Sequence, residues 1–120
     1  MADEAQPEVR ATTRQAPPLL VVELQGEVTA TAGAPLRAAY EGVAGSGLRH
    51  LLLDFSGVDY VNSAGIAAVI GLLTAARRED RPVLVTGLNA HYRKIFEMMG
   101  LTQFAPLVAD EAAARRAAGA

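Results

Sequence analysis

Between Leu19 and Val28 a period of two places Leu20, Val22 and Leu24 on one face of a strand. Val9 to Gln15 reads as a shorter strand before it, and Pro17-Pro18 turns the chain between the two, so the pattern predicts a hairpin. After Gly26 the spacing becomes helical. Leu36, Tyr40 and Val43 form an inner stripe, Thr31 is the expected N-cap, and Pro35 is tolerated in the first turn. Gly42, Gly45 and Gly47 end that helix. Leu51 to Phe55 is a continuous apolar run, the mark of a central strand in a parallel sheet.

A second helix follows Asn62-Ser63, with Ile66, Val69, Ile70 and Leu73 on one face and Arg77, Arg78 and Glu79 at its wet end. Pro82 to Thr86 is the next strand. Asn89 caps a third helix in which Ile95, Phe96 and Met99 point inward. Gly100 closes it in the left-handed conformation, which lets Leu101 fold back on Phe96. Phe104 to Val108 supplies a last strand. Asp110 and Glu111 then open a short terminal helix through Ala112 to Ala114, and Arg115 and Arg116 close it in the sense the helix dipole favours. This order predicts an α/β fold, a mixed four- to five-stranded sheet packed with about four helices through right-handed crossovers. Residues 1–8 are expected to be a flexible N-terminus and residues 9–120 one domain.

Composition narrows the function classes. A chain of 120 residues, half of them apolar, has room for one core. The net charge of −2 argues against a claim on nucleic-acid phosphates, which needs a basic patch. There is no cysteine, hence no disulfide, thiolate metal site or cysteine nucleophile. Met1 to Arg10 lacks the basic start and apolar run of a secretory signal. The longest apolar stretch, Ile66 to Ala76, is broken by Gly71 and Thr74 and falls short of the ~20 residues that span a bilayer. A cytoplasmic protein with no direct membrane insertion is expected.

Catalytic constellations are missing from the pattern. His50 and His91 stand far apart in sequence without a carboxylate at ligand spacing, so no metal site is expected. Ser63 sits between strand and helix like a hydrolase nucleophile, but that motif needs glycine two positions before and two after, and Val61 occupies the first. Gly42, Gly45 and Gly47 follow a helix and precede a strand, the reverse of a phosphate-binding loop. Asp54 and Asp59 flank an expected turn through Ser56-Gly57 and read as turn and strand-end residues. No catalytic residue, cofactor or metal is assigned. By position alone Ser63 is an N-cap whose hydroxyl satisfies a helix amide, worth ~1 kcal/mol. Gly65 either leaves room for a partner backbone or lets helix pack closely on strand.

The segment Asn62-Ser63-Ala64-Gly65-Ile66 after a strand, with Gly26-Glu27-Val28 before the first helix and Arg93-Lys94-Ile95-Phe96-Glu97-Met98-Met99-Gly100-Leu101 at the third, resembles the STAS domain family. The likeness is to its anti-sigma-factor antagonist type and runs over nearly the whole chain after Val9. It implies a regulatory protein in partner switching and not an enzyme. The motif serine, Ser63 here, is then phosphorylated by an anti-sigma factor with a histidine-kinase-like serine kinase fold. The unphosphorylated protein binds that factor, the phosphorylated form lets go, and a PPM-type serine phosphatase restores it. The resemblance places Thr29, Asn62, Ser63, Ala64, Gly65 and Ile66 at the partner-binding surface. Asn62 stands where the family's antagonists usually carry Asp, and Thr29 where Asp often follows the Gly-Glu-aliphatic segment. A divergent kinase and an unmodified serine therefore both stay open. STAS domains also serve as accessory subunits bound to an ABC transporter ATPase and as stressosome-type scaffold components, which are the alternative implications.

Overall fold

The apolar run that opens the second strand, Leu19-Leu20-Val21-Val22, has both parities buried, because the sheet is covered on both faces. The structure, a computed structural model, describes residues 8–119, apart from the side chain of Ala44. Its strands are β1 (Arg10–Ala16), β2 (Leu19–Val28), β3 (His50–Val61) and β4 (Val83–Thr86), in that spatial order. β1 pairs with β2 antiparallel as the predicted hairpin, whereas β2–β3 and β3–β4 are parallel. The helices are α1 (Gly33–Ser46), α2 (Ser63–Arg78), α3 (Ala90–Met98) and α4 (Glu111–Ala117). The sheet is therefore mixed and four-stranded with four helices, as the pattern predicts.

One face of the sheet presents Leu20, Val22, Leu24, Leu51, Leu53, Phe55, Val83 and Val85 to a core completed by α1, α2 and α3. Phe96 is fully buried there, its ring edge-on to Phe55 at 5.8 Å between centroids. On the other face Leu19, Val21, Leu52 and Leu84 pack with Ala114 of the short α4. Arg14 on β1 clasps that helix to the sheet: it bonds Glu23 at 3.0 Å and grips Glu111 bidentately, with Nη1 to Oε2 at 3.2 Å. The Arg14 hydrogen bonds hold the Glu111 carboxyl below the usual carboxylate range.

Several elements differ from the sequence pattern. The expected flexible N-terminus, residues 1–8, lies outside the described residues except for Glu8, which forms a bridge to Glu27. Thr31 does not cap a helix: residues Ala30–Ala32 form a single 3-10 turn after Thr29, and α1 starts at Gly33 without a side-chain cap. The turn expected at Ser56-Gly57 is absent because β3 runs on to Val61. Two register shifts against β2, between Glu23 and Gln25 and between Gly26 and Glu27, absorb the extra residues as bulges. Met99 is half exposed, since α3 ends at Met98 and the apolar stripe stops with it.

Phe104 to Val108 does not form a strand. A second 3-10 turn, Leu101–Gln103, draws the amides of Phe104 and Ala105 to the Leu101 carbonyl, and Pro106 has no amide to give. A single bridge between Val85 and Leu107 is what remains of the pairing. The glycine stops are as expected: Gly47 ends α1 at φ 80° and Gly100 follows α3 at φ 75°. Leu101 and Phe96 are buried in the same cluster.

Candidate functional site

α2 begins where the carboxyl ends of the parallel strands β2 and β3 meet, the edge at which open α/β sheets present their binding sites. Three bonds fix this junction. The Asn62 amide donates to the Val28 carbonyl at the end of β2 at 3.2 Å. The Val61 amide donates to the Tyr92 hydroxyl of α3 at 3.1 Å, in a buried position. The Asn62 side-chain oxygen accepts from the Gly65 amide at 2.9 Å and so caps the helix.

The cap is thus Asn62, not Ser63, and this corrects the positional reading of the serine. Ser63 is the first residue of α2 and exposed, with Ala64 exposed beside it. Its hydroxyl is not needed to close the helix. Gly65 and Ile66 are buried, so of the five motif residues only Ser63, Ala64 and half-buried Asn62 face outward.

Gly65 has a physical reason independent of any partner. A Cβ there would lie 1.8 Å from the Val28 carbonyl oxygen, 2.4 Å from its carbon and 3.0 Å from the Thr29 amide nitrogen. These are backbone atoms that cannot swing aside, so close packing of α2 on the end of β2 explains the glycine. The same approach brings Thr29, half-buried ahead of the 3-10 turn, alongside the first turn of α2. All six residues singled out in the sequence, Thr29 and Asn62 to Ile66, therefore gather at one edge.

No acidic side chain stands in the first turn of α2, and Arg77 and Arg78 occupy its last. The helix dipole points its positive end at Ser63 with no carboxylate in that turn to offset it, and the Ser63 and Ala64 amides have no acceptor within the helix. A flat, small-residue surface with an accessible hydroxyl at a positive helix end suits a protein contact that a phosphoryl group would alter.

Sequence reasoning missed two neighbours. Tyr60 is 44% exposed three residues before Ser63, an aromatic available to a partner. Tyr92 sits thirty-one positions from the amide it holds, and no local pattern signals that bond. Asn62 was legible in principle, because asparagine is among the best N-cap residues.

The residues set aside in the sequence stay apart from this edge chemically. Asp54, within β3, accepts from the Ser56 amide at 2.9 Å and the Ser56 hydroxyl at 2.6 Å, a local bond where the pairing with β4 stops. His50 opens β3, whereas His91 on α3 lies edge-on to the Tyr92 ring. Among the described residues no three His, Cys, Asp or Glu side chains assemble as a metal site requires. No helix among them is long and apolar enough to cross a membrane.

Residues 11–109 match the family model described as Mlab, STAS domain. A curated protein of Bordetella bronchiseptica described as an anti-sigma factor antagonist, BtrV, is 28% identical over 99 residues, covering 82% of this chain and 85% of its own. The crystal structure of an anti-sigma factor antagonist from Mycobacterium paratuberculosis is similar with a TM-score of 0.66 at 20% identity, over 82% of this chain and 84% of that one. The Bacillus cell fate determinant SpoIIAA in its phosphorylated form is similar with a TM-score of 0.67 at 19% identity, over 89% of this chain and 98% of that one. At these identities the two structures share the fold.

Proposed function

The chain belongs to the STAS domain family, and from that premise we propose that it is an anti-sigma factor antagonist, acting by binding and not by catalysis, with Ser63 as its phosphorylation switch. The observation that carries the reading is the exposed Ser63 at the start of α2, freed from capping by Asn62. The unmodified surface formed by Thr29, Asn62, Ser63 and Ala64 docks on an anti-sigma factor with a histidine-kinase-like serine kinase fold, and that factor's kinase activity modifies Ser63. Gly65 and Ile66 support the surface from below.

Phosphorylation adds about −1.5 to −2 charges at the positive end of α2, where the free first-turn amides donate to the phosphoryl oxygens. The fold is expected to persist, because no buried group is displaced. A partner already seated there loses a small flat contact and meets a dianion, so affinity falls without a conformational change. A PPM-type serine phosphatase reverses the step. The relatives support this reading: BtrV is described as an anti-sigma factor antagonist, and SpoIIAA is known in a phosphorylated form.

A second reading follows from the missing carboxylates at positions 29 and 62. If they deny a kinase its recognition, the domain is a constitutively bound accessory subunit of an ABC transporter ATPase, and Ser63 stays unmodified. Intact-mass and fragment spectra of the tagged protein recovered from the cells that make it separate the two. Phosphate on Ser63 together with a co-purified serine kinase supports the switch, whereas an unmodified chain held by an ATPase supports the accessory subunit.

A further inference from the structure

The end of the sheet opposite Ser63 carries a cavity that the switch leaves without a role. Three arginines from separate stretches of chain line it: Arg49 between α1 and β3, Arg77 in the last turn of α2, and Arg81 between α2 and β4. Leu73, Pro82, Val83 and Phe104 supply an apolar wall. Its volume is about 330 Å³, at the small end of the range for ligand sites. The sixteen residues of α2, at about 1.5 Å each, put roughly 24 Å between this end and Ser63.

The helix dipole accounts for basic residues in the last turn of α2, but not for Arg49 and Arg81, which lie outside any helix. Arg81 is committed. Its Nε donates to the Glu79 carboxylate at 3.1 Å, and Glu79 also accepts from the Tyr40 hydroxyl. The Tyr40 and Arg81 hydrogen bonds hold the Glu79 carboxyl below its ordinary range, so that charge is spent on them.

Arg49 and Arg77 differ from Arg81. Arg49 donates to the Asp80 backbone carbonyl at 2.7 Å, and the Arg77 guanidinium stacks 4.5 Å from the centre of the Phe104 ring. Neither has a carboxylate partner among the described residues. Asp80 on the cavity wall, which meets Arg49 through its backbone carbonyl, brings one negative charge against the two, so the cavity keeps a positive excess in a chain of net charge −2.

We propose that this cavity binds a small organic anion, a phosphate ester or a carboxylate, gripped by the Arg49 and Arg77 guanidinium groups with its apolar part against Leu73, Pro82, Val83 and Phe104. Planar forked guanidinium groups suit either anion bidentately, and the Phe104 stack holds Arg77 ready for it. A ligand of this size with one charged group binds in the millimolar range.

The test is a low-salt NMR titration of the full chain with phenyl phosphate, benzoate and phenol, which present one ring with two anions or none. Saturable shifts of arginine Nε–H signals and of the Val83 and Phe104 amides are expected with one or both anions, and their relative affinity assigns the class. Arg49→Gln and Arg77→Gln should each weaken binding about tenfold, whereas exposed Arg10→Gln on β1 should not change it. Ser63→Glu should leave it unchanged. The proposal is overturned if neither anion saturates by about 20 mM, if phenol shifts the same signals equally, or if the double Arg49→Gln/Arg77→Gln variant binds as wild type.

Discussion

Asn62 and Ser63 are adjacent residues of types that both cap helices, yet the backbone gives them separate tasks. Asn62, at φ −110° and ψ −179°, has the extended conformation of an N-cap and accepts the Gly65 amide, which leaves Ser63 outside at the first helical position. Asn62→Ala should therefore cost about 1 kcal/mol in urea unfolding, and Asn62→Asp should restore it; an Ala variant as stable as wild type would remove the cap assignment. Gly65→Ala places a methyl 1.8 Å from the Val28 carbonyl oxygen and should cost about 3 kcal/mol, read as a lowered thermal midpoint. The sequence order made Ser63 and Gly65 visible as a pair, but not which residue caps. That choice depends on where β3 ends, and β3 runs six residues past the apolar run Leu51–Phe55.

At the scale of elements, the helices were legible because their apolar stripes repeat over several turns. α2 buries Ile66, Val69 and Leu73 as its spacing requires, and α3 buries Phe96. Phe96→Ala should cost ~3–5 kcal/mol, and a negligible loss in denaturant unfolding would contradict its place in the core. Strand ends were less legible, since pairing partners decide them. β3 extends because bulges keep it beside β2 beyond the reach of β4, whose pairing stops at Asp54. The segment Phe104 to Val108 has strand composition but meets a 3-10 turn and Pro106 before it reaches Val85.

α4 shows how a seven-residue helix too short to stand alone is retained. Its Ala114 packs under Leu52 and Leu84, and Arg14 grips Glu111. The Glu111 pKa is lower folded than unfolded, so the pair stabilises above the unfolded value of about 4.3 and loses its contribution as pH falls through the folded one. The pair is partly exposed, which limits it to under about 1 kcal/mol. Arg14→Gln should lower stability at neutral pH by no more than that and flatten its decline as pH falls below the unfolded carboxylate value of about 4.3. An unchanged acid profile would show the clasp to be energetically silent.

Over the whole molecule, the mixed sheet sets two ends with different chemistry at either end of α2. One offers the small, exposed Ser63 and Ala64 at a positive helix terminus, and the other gathers arginines around a cavity. The fold class and the edge carrying the motif were legible from the chain, because a strand–helix junction in a parallel sheet has only one side on which to lie. The arginine cavity was not, since Arg49 and Arg77 are neighbours only after β3 and β4 pair. The central claim is that Ser63 controls binding without altering the fold. Its most direct test is to capture proteins from the native cells on immobilised Ser63→Ala and Ser63→Glu chains, each first verified as folded by circular dichroism. Retention of a serine kinase of the anti-sigma type by Ser63→Ala and its loss from Ser63→Glu is the predicted result; equal retention by both chains would contradict the switch.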